Sequence, residues 1–153
     1  MKKFLLFIII LSAFVSKAQF GDLATVRVEI QSEKENEYKL SFILVLKEGA
    51  STYVESEDIM APPGFALNLH SSDEYEPVGE WIFPVYKTKY VEVFEANVNY
   101  FDAGKFIVTR IIKGKVKDFT ISGDYNGQVC EKGKCIPSPF PNPNFEINVG
   151  KGS

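Results

Sequence analysis

Apolar and polar residues alternate with a period of two along most of this chain after its first 18 residues. In the stretch TVRVEIQ, Val26, Val28 and Ile30 fall on one side, and charged or polar residues fall on the other. The pattern recurs in YKLSFILVLKEG, GFALNLH, YVEVFEANVNYF, KFIVTRII, KDFTIS and NFEINV. Because successive side chains of a strand point to opposite faces, each of these segments predicts a half-buried β-strand. No window beyond the N-terminal residues shows the 3.6-residue stripe of an amphipathic helix.

The segments between these strands are rich in residues that favour turns. They read SEKENE, SSDEYE, DAGK and SGDYNG, and we predict a turn at each of them. About eight short strands at roughly ten-residue spacing predict an all-β, immunoglobulin-like antiparallel β-sandwich. The 13 Phe and 7 Tyr residues supply bulky side chains for a core between two sheets.

The first residues predict a signal peptide rather than a part of this domain. Two lysines precede an apolar run over residues 4–15, and a Ser-Lys-Ala exit follows at residues 16–18. A basic start, a short apolar run and a small-x-small exit are typical of secretory signals, and the run is short for a membrane span. We therefore expect cleavage after Ala18 and one soluble domain over residues 19–153, in the bacterial periplasm or secreted.

The charge of the remaining chain argues against two classes of partner. Loss of residues 1–18 leaves 14 basic against 20 acidic side chains, so the formal net charge moves from −3 to −6. Nucleic acids and anionic membranes both favour an excess of Lys and Arg, so neither is expected to bind. Hydrolase and nucleotide-binding functions also lack support, because no G-x-S-x-G, Walker-type or H-E-x-x-H motif is present.

Two single residues invite a functional interpretation but have a simpler structural one. Trp81 is the only tryptophan, and we predict that it packs in the core rather than forming a recognition platform. His70 alternates with the apolar residues of GFALNLH, so we predict that it points to solvent.

The two cysteines of the chain, Cys130 and Cys135, stand in the stretch GQVCEKGKCIPSPFP. Export would allow them to form a lasting disulfide. A ring this short stabilises a fold by only about 2 kcal/mol, and an accessible short ring is easily opened, which suits thiol exchange. Lys132 and Lys134 would favour a thiolate, and Gly133 would allow the tight turn that closes the ring.

The residues themselves leave two interpretations of this pair open. Either the cysteines exchange thiols with a partner, or they form a structural disulfide in a non-catalytic exported binding module. A metal site ranks third, because two thiolates and one histidine do not complete a tetrahedral site. The prolines at positions 137, 139, 141 and 143 predict a sheet edge or an extended surface run, since proline has no N–H for central pairing.

The sequence also resembles a known family. ISGDYNGQVCEKGKCIPSP resembles the end of the N-terminal periplasmic domain of the thiol:disulfide interchange protein DsbD family. EPVGEWIFPVYKTKYVEVFEANVNYF is similar to the stretch that leads through that family's cap loop, and VRVEIQSEKENEYKLSFILVLKEGASTYVES is similar to its opening hairpin. The likeness runs in order over most of residues 25–149, and the cysteine hairpin is its most specific part.

The resemblance implies an immunoglobulin-like fold and a redox pair formed by Cys130 and Cys135, in which Cys135 forms the mixed disulfide. It implies that electrons pass to thioredoxin-fold partners from a membrane module. We expect neither such a module nor a C-terminal thioredoxin-like domain in this chain, which leaves two alternatives open: a separately encoded membrane electron donor, or a stand-alone adaptor that reads the redox state of a partner. No cofactor, metal or small-molecule substrate is expected.

The resemblance further implies a cap over the cysteine pair, formed by residues 86–90. On this basis we expect Tyr86, Lys87 and Tyr90 to line the site. Tyr53 and Tyr125 are further candidates, because their rings would exclude water from the disulfide, and the simpler interpretation of each tyrosine is an ordinary strand or loop aromatic. The segment YKTKY is basic where an acidic and aromatic cap is expected, which indicates a partner surface of different charge.

Overall fold

A computed structural model describes residues 18–20, 23–137 and 143–150 of the chain. These residues form eleven β-strands and one 3₁₀ helix, and they contain no α-helix. The strands are β1 (Ala18–Phe20), β2 (Ala24–Lys34), β3 (Glu37–Val54), β4 (Ala66–Leu69), β5 (Tyr75–Ile82), β6 (Lys87–Val91), β7 (Ala96–Gly114), β8 (Phe119–Asn126), β9 (Gln128–Glu131), β10 (Lys134–Pro137) and β11 (Asn144–Val149), with the 3₁₀ helix at Glu92–Phe94. The predicted signal peptide lies outside the described residues, apart from Ala18, which begins β1.

The strands form two antiparallel sheets. The larger sheet follows the order β1-β2-β3-β7-β5, with β9 and β10 continuing from β3 and with β6 paired to β7. The smaller sheet has the order β11-β8-β4. The predicted all-β, immunoglobulin-like antiparallel sandwich with a C-terminal cysteine hairpin is thereby confirmed.

Aromatic residues of both sheets meet in the core. Phe42 of β3 is fully buried, and its ring centroid lies 4.9 Å from that of Tyr125 on β8 and 5.2 Å from that of Phe65. Trp81 is half-buried against the same core, and its Nε1 donates a hydrogen bond of 3.1 Å to the Leu67 carbonyl. The prediction that Trp81 packs in the core is therefore confirmed.

The prediction of a turn at DAGK is wrong. These residues, 102–105, lie inside β7, which pairs with β3 on both sides of an irregularity between Leu46 and Ser51. A strand that bulges bends without leaving the sheet, so the glycine and the polar residues mark a bend shared by two long strands.

The prediction of a turn at SGDYNG is also wrong for most of that segment. Residues 122–126 belong to β8, the central strand of the smaller sheet. A Cβ atom at Gly123 would lie 2.3 Å from the Asn68 carbonyl oxygen and 2.6 Å from the Phe145 ring. This glycine therefore allows a close approach between neighbours rather than a reversal of the chain.

The segment YVEVFEANVNYF forms the end of β6, a reversal and the start of β7 rather than one strand. The 3₁₀ turn at Glu92–Phe94 ends at Glu95, which has φ 50°, and the chain then returns along β6. In contrast, the turn predicted within SEKENE is present, with Asn36 at φ 58° between β2 and β3.

Candidate functional site

The two cysteines lie in a tight hairpin that we call the cysteine hairpin, formed by β9, a two-residue turn and β10. The turn residues Lys132 and Gly133 have φ values of 50° and 76°. Positive φ at both central positions is the geometry of a type I′ turn, whose twist matches that of the paired strands. The predicted role of Gly133 in closing the turn is confirmed.

A disulfide joins Cys130 and Cys135 across the cysteine hairpin. The two residues are direct register partners, and their Cα atoms are 3.9 Å apart. In a hairpin with a two-residue turn, the first pair, Glu131 and Lys134, exchanges hydrogen bonds, and the second pair does not. The cysteines occupy this second kind of pair, in which the Cα atoms of antiparallel strands come closest.

The two sulfur-bearing residues differ in their access to solvent. Cys130 retains only 7% of its accessible surface, because β9 lies between β3 and β10. Cys135 is exposed on β10, which among the described residues pairs only with β9. A protein thiol can therefore approach Cys135 from the sheet edge, while Cys130 lies behind it.

Contacts on the core side hold the inner strand of the cysteine hairpin in place. Val129 is buried in the core cluster, and the buried Thr52 of β3 is its register partner. The Thr52 hydroxyl donates a hydrogen bond of 2.7 Å to the Gln128 carbonyl. Because side chains alternate along β9, Cys130 and Cys135 lie on the opposite face of the sheet, and neither belongs to a described core cluster.

Sequence reasoning missed Thr52. The signal that could have found it is its position in STYV, where it has the same alternation phase as the apolar Val54. A hydroxyl on the inward face of a strand needs a hydrogen-bond partner, and the backbone of a neighbouring strand is the usual one.

The outer face that carries the disulfide extends across four strands. Register places Ser51 opposite Cys130 and Asp102 opposite Ser51, and Tyr53 and Tyr100 follow two residues along. Tyr53 is half-buried with its ring 6.1 Å from that of Phe94, and burial raises the pKa of its phenol.

The predicted cap coincides largely with β6 and is part of the same sheet. Lys87 is the register partner of Tyr100, and its Nζ lies 2.8 and 3.1 Å from the two carboxylate oxygens of Asp102. The hydrogen bond to Asp102 and the attraction of its negative charge raise the pKa of Lys87. The strands β3 and β7 lie between β6 and β9, which corresponds to about 14 Å across the sheet. Lys87 thus shares the face of the disulfide, but two strands separate it from the cysteine hairpin.

The remaining predicted lining residues have three different positions. Tyr86 is exposed just before β6, and Tyr90 is exposed on the opposite face of β6 from Lys87. Tyr125 is buried in the core, where its ring packs against Phe42 and Phe145 and burial raises its pKa. The structure therefore brings Cys130 and Cys135 together and keeps these three tyrosines in separate surroundings.

The other candidates from the sequence are positioned as follows. Lys132 and Lys134 are exposed on the cysteine hairpin, beside the cysteines. His70 is exposed, as predicted, with Nε2 3.2 Å from a carboxylate oxygen of Asp124 and Nδ1 3.4 Å from the Ser122 hydroxyl. Within residues 18–20, 23–137 and 143–150, no three His, Cys, Asp or Glu residues are grouped so that they could hold a metal ion.

Comparisons with known proteins give likeness at the level of structure. The chain is similar to the N-terminal periplasmic domain of ScsB from Proteus mirabilis, with a TM-score of 0.55 and 19% identity, over 85% of this chain and 47% of that one. This chain therefore spans about half the length of that structure. At this identity the likeness shows a shared fold.

Two further solved structures are similar at a lower level. The DsbD N-terminal domain of Neisseria meningitidis, solved in the reduced form, has a TM-score of 0.48 and 14% identity, over 82% of this chain and 86% of that one. The GAE domain of GGA2p from Saccharomyces cerevisiae has a TM-score of 0.48 and 5% identity, over 88% and 96%. No family model and no curated protein matches the sequence.

Among the described residues, no helix combines the length and the apolar character that crossing a bilayer requires.

Proposed function

We propose that this chain is an exported thiol–disulfide exchange domain that passes reducing equivalents to thioredoxin-fold proteins through Cys130 and Cys135. The observation that supports this most directly is the asymmetry of the disulfide. An exposed Cys135 at a sheet edge lies directly opposite a buried Cys130, and neither residue belongs to a described core cluster. An accessible attacking sulfur with a resolving sulfur directly opposite is the arrangement that thiol exchange needs.

In the reduced form, the Cys135 thiolate would attack one sulfur of a partner disulfide. A mixed disulfide forms, and the other sulfur of the partner leaves as a thiolate. The Cys130 thiolate then attacks Sγ of Cys135, the Cys130–Cys135 bond forms, and the partner leaves as a dithiol. Two electrons pass to the partner, and this chain ends in the disulfide form that the structure shows. The step involves sulfur atoms and protons only.

The partners on either side belong to the same proposal. The resemblance to the DsbD family supports a thioredoxin-fold acceptor and a separately encoded membrane donor that restores the dithiol. The fold likeness to a periplasmic domain of ScsB agrees with the signal peptide predicted at residues 1–18 and with an exported location.

The position of β6 on the face of the disulfide supports a role in docking a partner rather than in covering the sulfur atoms. Lys87 shares that face and is held by Asp102. We propose that β6, through Lys87 and the exposed Tyr86, borders the surface that a docked partner covers, rather than forming a lid in contact with the sulfur atoms, and that Tyr90, on the opposite face of β6, lies outside this surface.

A trapping experiment tests the exchange. With Cys130→Ala, this chain cannot resolve the mixed disulfide at Cys135. Incubation with a thioredoxin-fold protein that keeps only its attacking cysteine, activated as a mixed disulfide with thionitrobenzoate, should release thionitrobenzoate and yield a covalent complex that dithiothreitol separates. The matched control is Cys135→Ala, which leaves only the buried Cys130 and should trap at least tenfold less. Equal trapping by both variants, or none by either, would contradict the proposed roles.

The reduction potential separates exchange from an inert structural bond. A value near those of thioredoxin-fold proteins, about −120 to −270 mV, would support exchange. A value below about −300 mV would indicate a structural disulfide in a binding module. Equilibration in glutathione and dithiothreitol buffers, followed by alkylation and mass spectrometry, gives the number.

A further inference from the structure

A group of strongly exposed apolar side chains lies at the end of the β6–β7 hairpin. Ile59 retains 95% of its accessible surface, Val93 81%, Tyr90 60% and Met60 58%. We call these four residues the apolar tip. Single exposed apolar residues are common, but several on adjacent segments of one end are typical of a contact surface.

The first pair of tip residues is presented by an ordered turn built around Asp58. One carboxylate oxygen of Asp58 accepts a hydrogen bond from the Met60 backbone N–H at 3.1 Å, and its carbonyl accepts one from the Ala61 N–H at 3.0 Å. The second carboxylate oxygen accepts a hydrogen bond from the Asn97 N–H of β7 at 3.3 Å. Ile59 and Met60 are therefore held outward at the crest of a turn that is fixed to β7.

The third tip residue is presented by a second ordered turn. In the 3₁₀ helix at Glu92–Phe94, the Glu95 N–H donates a 3.0 Å hydrogen bond to the Glu92 carbonyl, and Phe94 packs its ring against Tyr53. With Phe94 turned inward, the preceding Val93 is left exposed.

Asn97 connects the two turns. Its carbonyl accepts a hydrogen bond of 3.1 Å from the Ser56 hydroxyl, so the loop after β3 lies along β7 on one side. On the other side, Asn97 is the register partner of Tyr90, and the 3₁₀ helix begins after Val91, the partner of Ala96. Both turns and Tyr90 therefore meet at one short segment of β7.

Exposed acidic residues flank the apolar tip along the chain. Glu55 and Glu57 precede the first turn, Glu92 and Glu95 bracket Val93, and all four are exposed. Lys89, the residue before Tyr90 on β6, has its Nζ 4.5 Å from the centroid of the Tyr100 ring. The border of the tip thus carries several negative charges close to apolar surface.

We propose that the apolar tip is a docking surface for a protein partner that offers an apolar cleft bordered by Lys and Arg. The acidic border argues against the two other occupants. An anionic bilayer would repel the four glutamates, and a second copy of this chain would bring two like-charged tips together. A basic border on the partner would turn the same charges into a favourable and steering interaction.

This surface is separate from the disulfide. Asp102, which lies in the row of Cys130, is five residues from Asn97 along β7, which corresponds to about 17 Å. Occupation of the tip therefore leaves the sheet edge at Cys135 free, and the inference does not depend on the proposed exchange.

A binding assay on the full chain with a defined probe tests this inference. The probe is a fluorescently labelled amphipathic peptide of Leu and Lys, and its counterpart is a peptide of the same length made of Leu and Glu. The site variant is Ile59→Ser with Val93→Ser, and the matched control is Val78→Ser with Ile82→Ser, which removes two exposed apolar residues of β5. Fluorescence anisotropy gives the dissociation constants.

The Leu/Lys probe should bind the natural chain and the β5 control alike, and the site variant at least tenfold more weakly. The Leu/Glu peptide should bind the natural chain at least tenfold more weakly than the Leu/Lys probe does. Equal binding of the Leu/Lys probe by site and control variants would overturn the proposal. So would tip-dependent binding to phosphatidylcholine or phosphatidylglycerol vesicles without peptide binding, or a tip-dependent dimer in sedimentation.

A photo-crosslinking experiment in the native cell provides the second readout. A benzoylphenylalanine at position 93 should crosslink to a protein whose attached peptide, read by mass spectrometry, is apolar and flanked by Lys or Arg. The same group at position 78 is the control. Crosslinking no greater at 93 than at 78 would overturn the proposal. A chain with Cys130→Ala and Cys135→Ala should retain the crosslink at 93, which separates this result from failure of the exchange function.

Discussion

Reduction of the Cys130–Cys135 disulfide should lower the free energy of unfolding by only about 2 kcal/mol and leave the fold intact. The bond joins residues five apart in sequence, and the chain entropy released by opening so short a ring gives this magnitude. The structure adds no large packing loss, because neither cysteine belongs to a core cluster, while Val129 keeps β9 on the core. For a chain of this size, about 2 kcal/mol corresponds to a decrease in Tm of about 6 °C.

The assay is urea unfolding of the oxidised and the reduced protein, followed by tryptophan fluorescence. Trp81 is the only tryptophan and packs against the core, so its emission reports unfolding of the sandwich. The variant with Cys130→Ala and Cys135→Ala is the control, and reductant should not change its unfolding curve. A loss above about 5 kcal/mol, or unfolded-type emission without urea, would refute the reasoning, because a relay must stay folded in both redox states.

The same magnitude predicts a difference in reduction potential. By thermodynamic linkage, the disulfide and the fold stabilise each other by the same free energy. About 2 kcal/mol corresponds to about 40 mV, so the folded chain should have a potential about 40 mV lower than a peptide of residues 127–137. A difference several times larger would indicate that the fold locks the bond.

Three further predictions concern stability. Thr52→Val should cost about 1–3 kcal/mol in urea unfolding, because the Gln128 carbonyl loses its hydrogen bond, and a neutral result would mean that water replaces the hydroxyl. Gly123→Ala should cost at least about 1–3 kcal/mol by the same assay, since its Cβ meets the Asn68 carbonyl, and unchanged stability would contradict that close approach. Above about pH 10 the unfolding free energy should fall, because burial raises the pKa of Tyr125 and the folded chain keeps a proton that the unfolded chain loses. Urea unfolding at pH 8 and at pH 11 checks the sign of this change. Tyr125→Phe should reduce the dependence of the unfolding free energy on pH.

Local pattern was sufficient for the parts of the site that depend on neighbouring residues. The Lys-Gly pair between the cysteines indicated a tight turn, and the structure has positive φ at both positions. The pairing of Cys130 with Cys135 follows once that turn is two residues long. Their unequal exposure could not be predicted, because it depends on β3 pairing with one side of β9, and β3 is some eighty residues earlier in the chain.

The sequence by itself determined the all-β class, the inward and outward faces of the main strands, the packing of Trp81 against the core and the exposure of His70. The class, the faces and the exposure of His70 follow from the two-residue period, which is a property of the backbone of each strand alone. The packing of Trp81 follows from the large apolar ring that a sandwich core accommodates. Tertiary structure decided that DAGK is a bend within β7 and that Gly123 lies in β8, where it allows Asn68 and Phe145 to approach closely. It also decided that the segment expected to cap the cysteines is mostly the edge strand β6, across the sheet from the cysteine hairpin. The reason is that the lateral neighbours of a strand are chosen by register with distant segments, and the alternation within one segment carries no information about them.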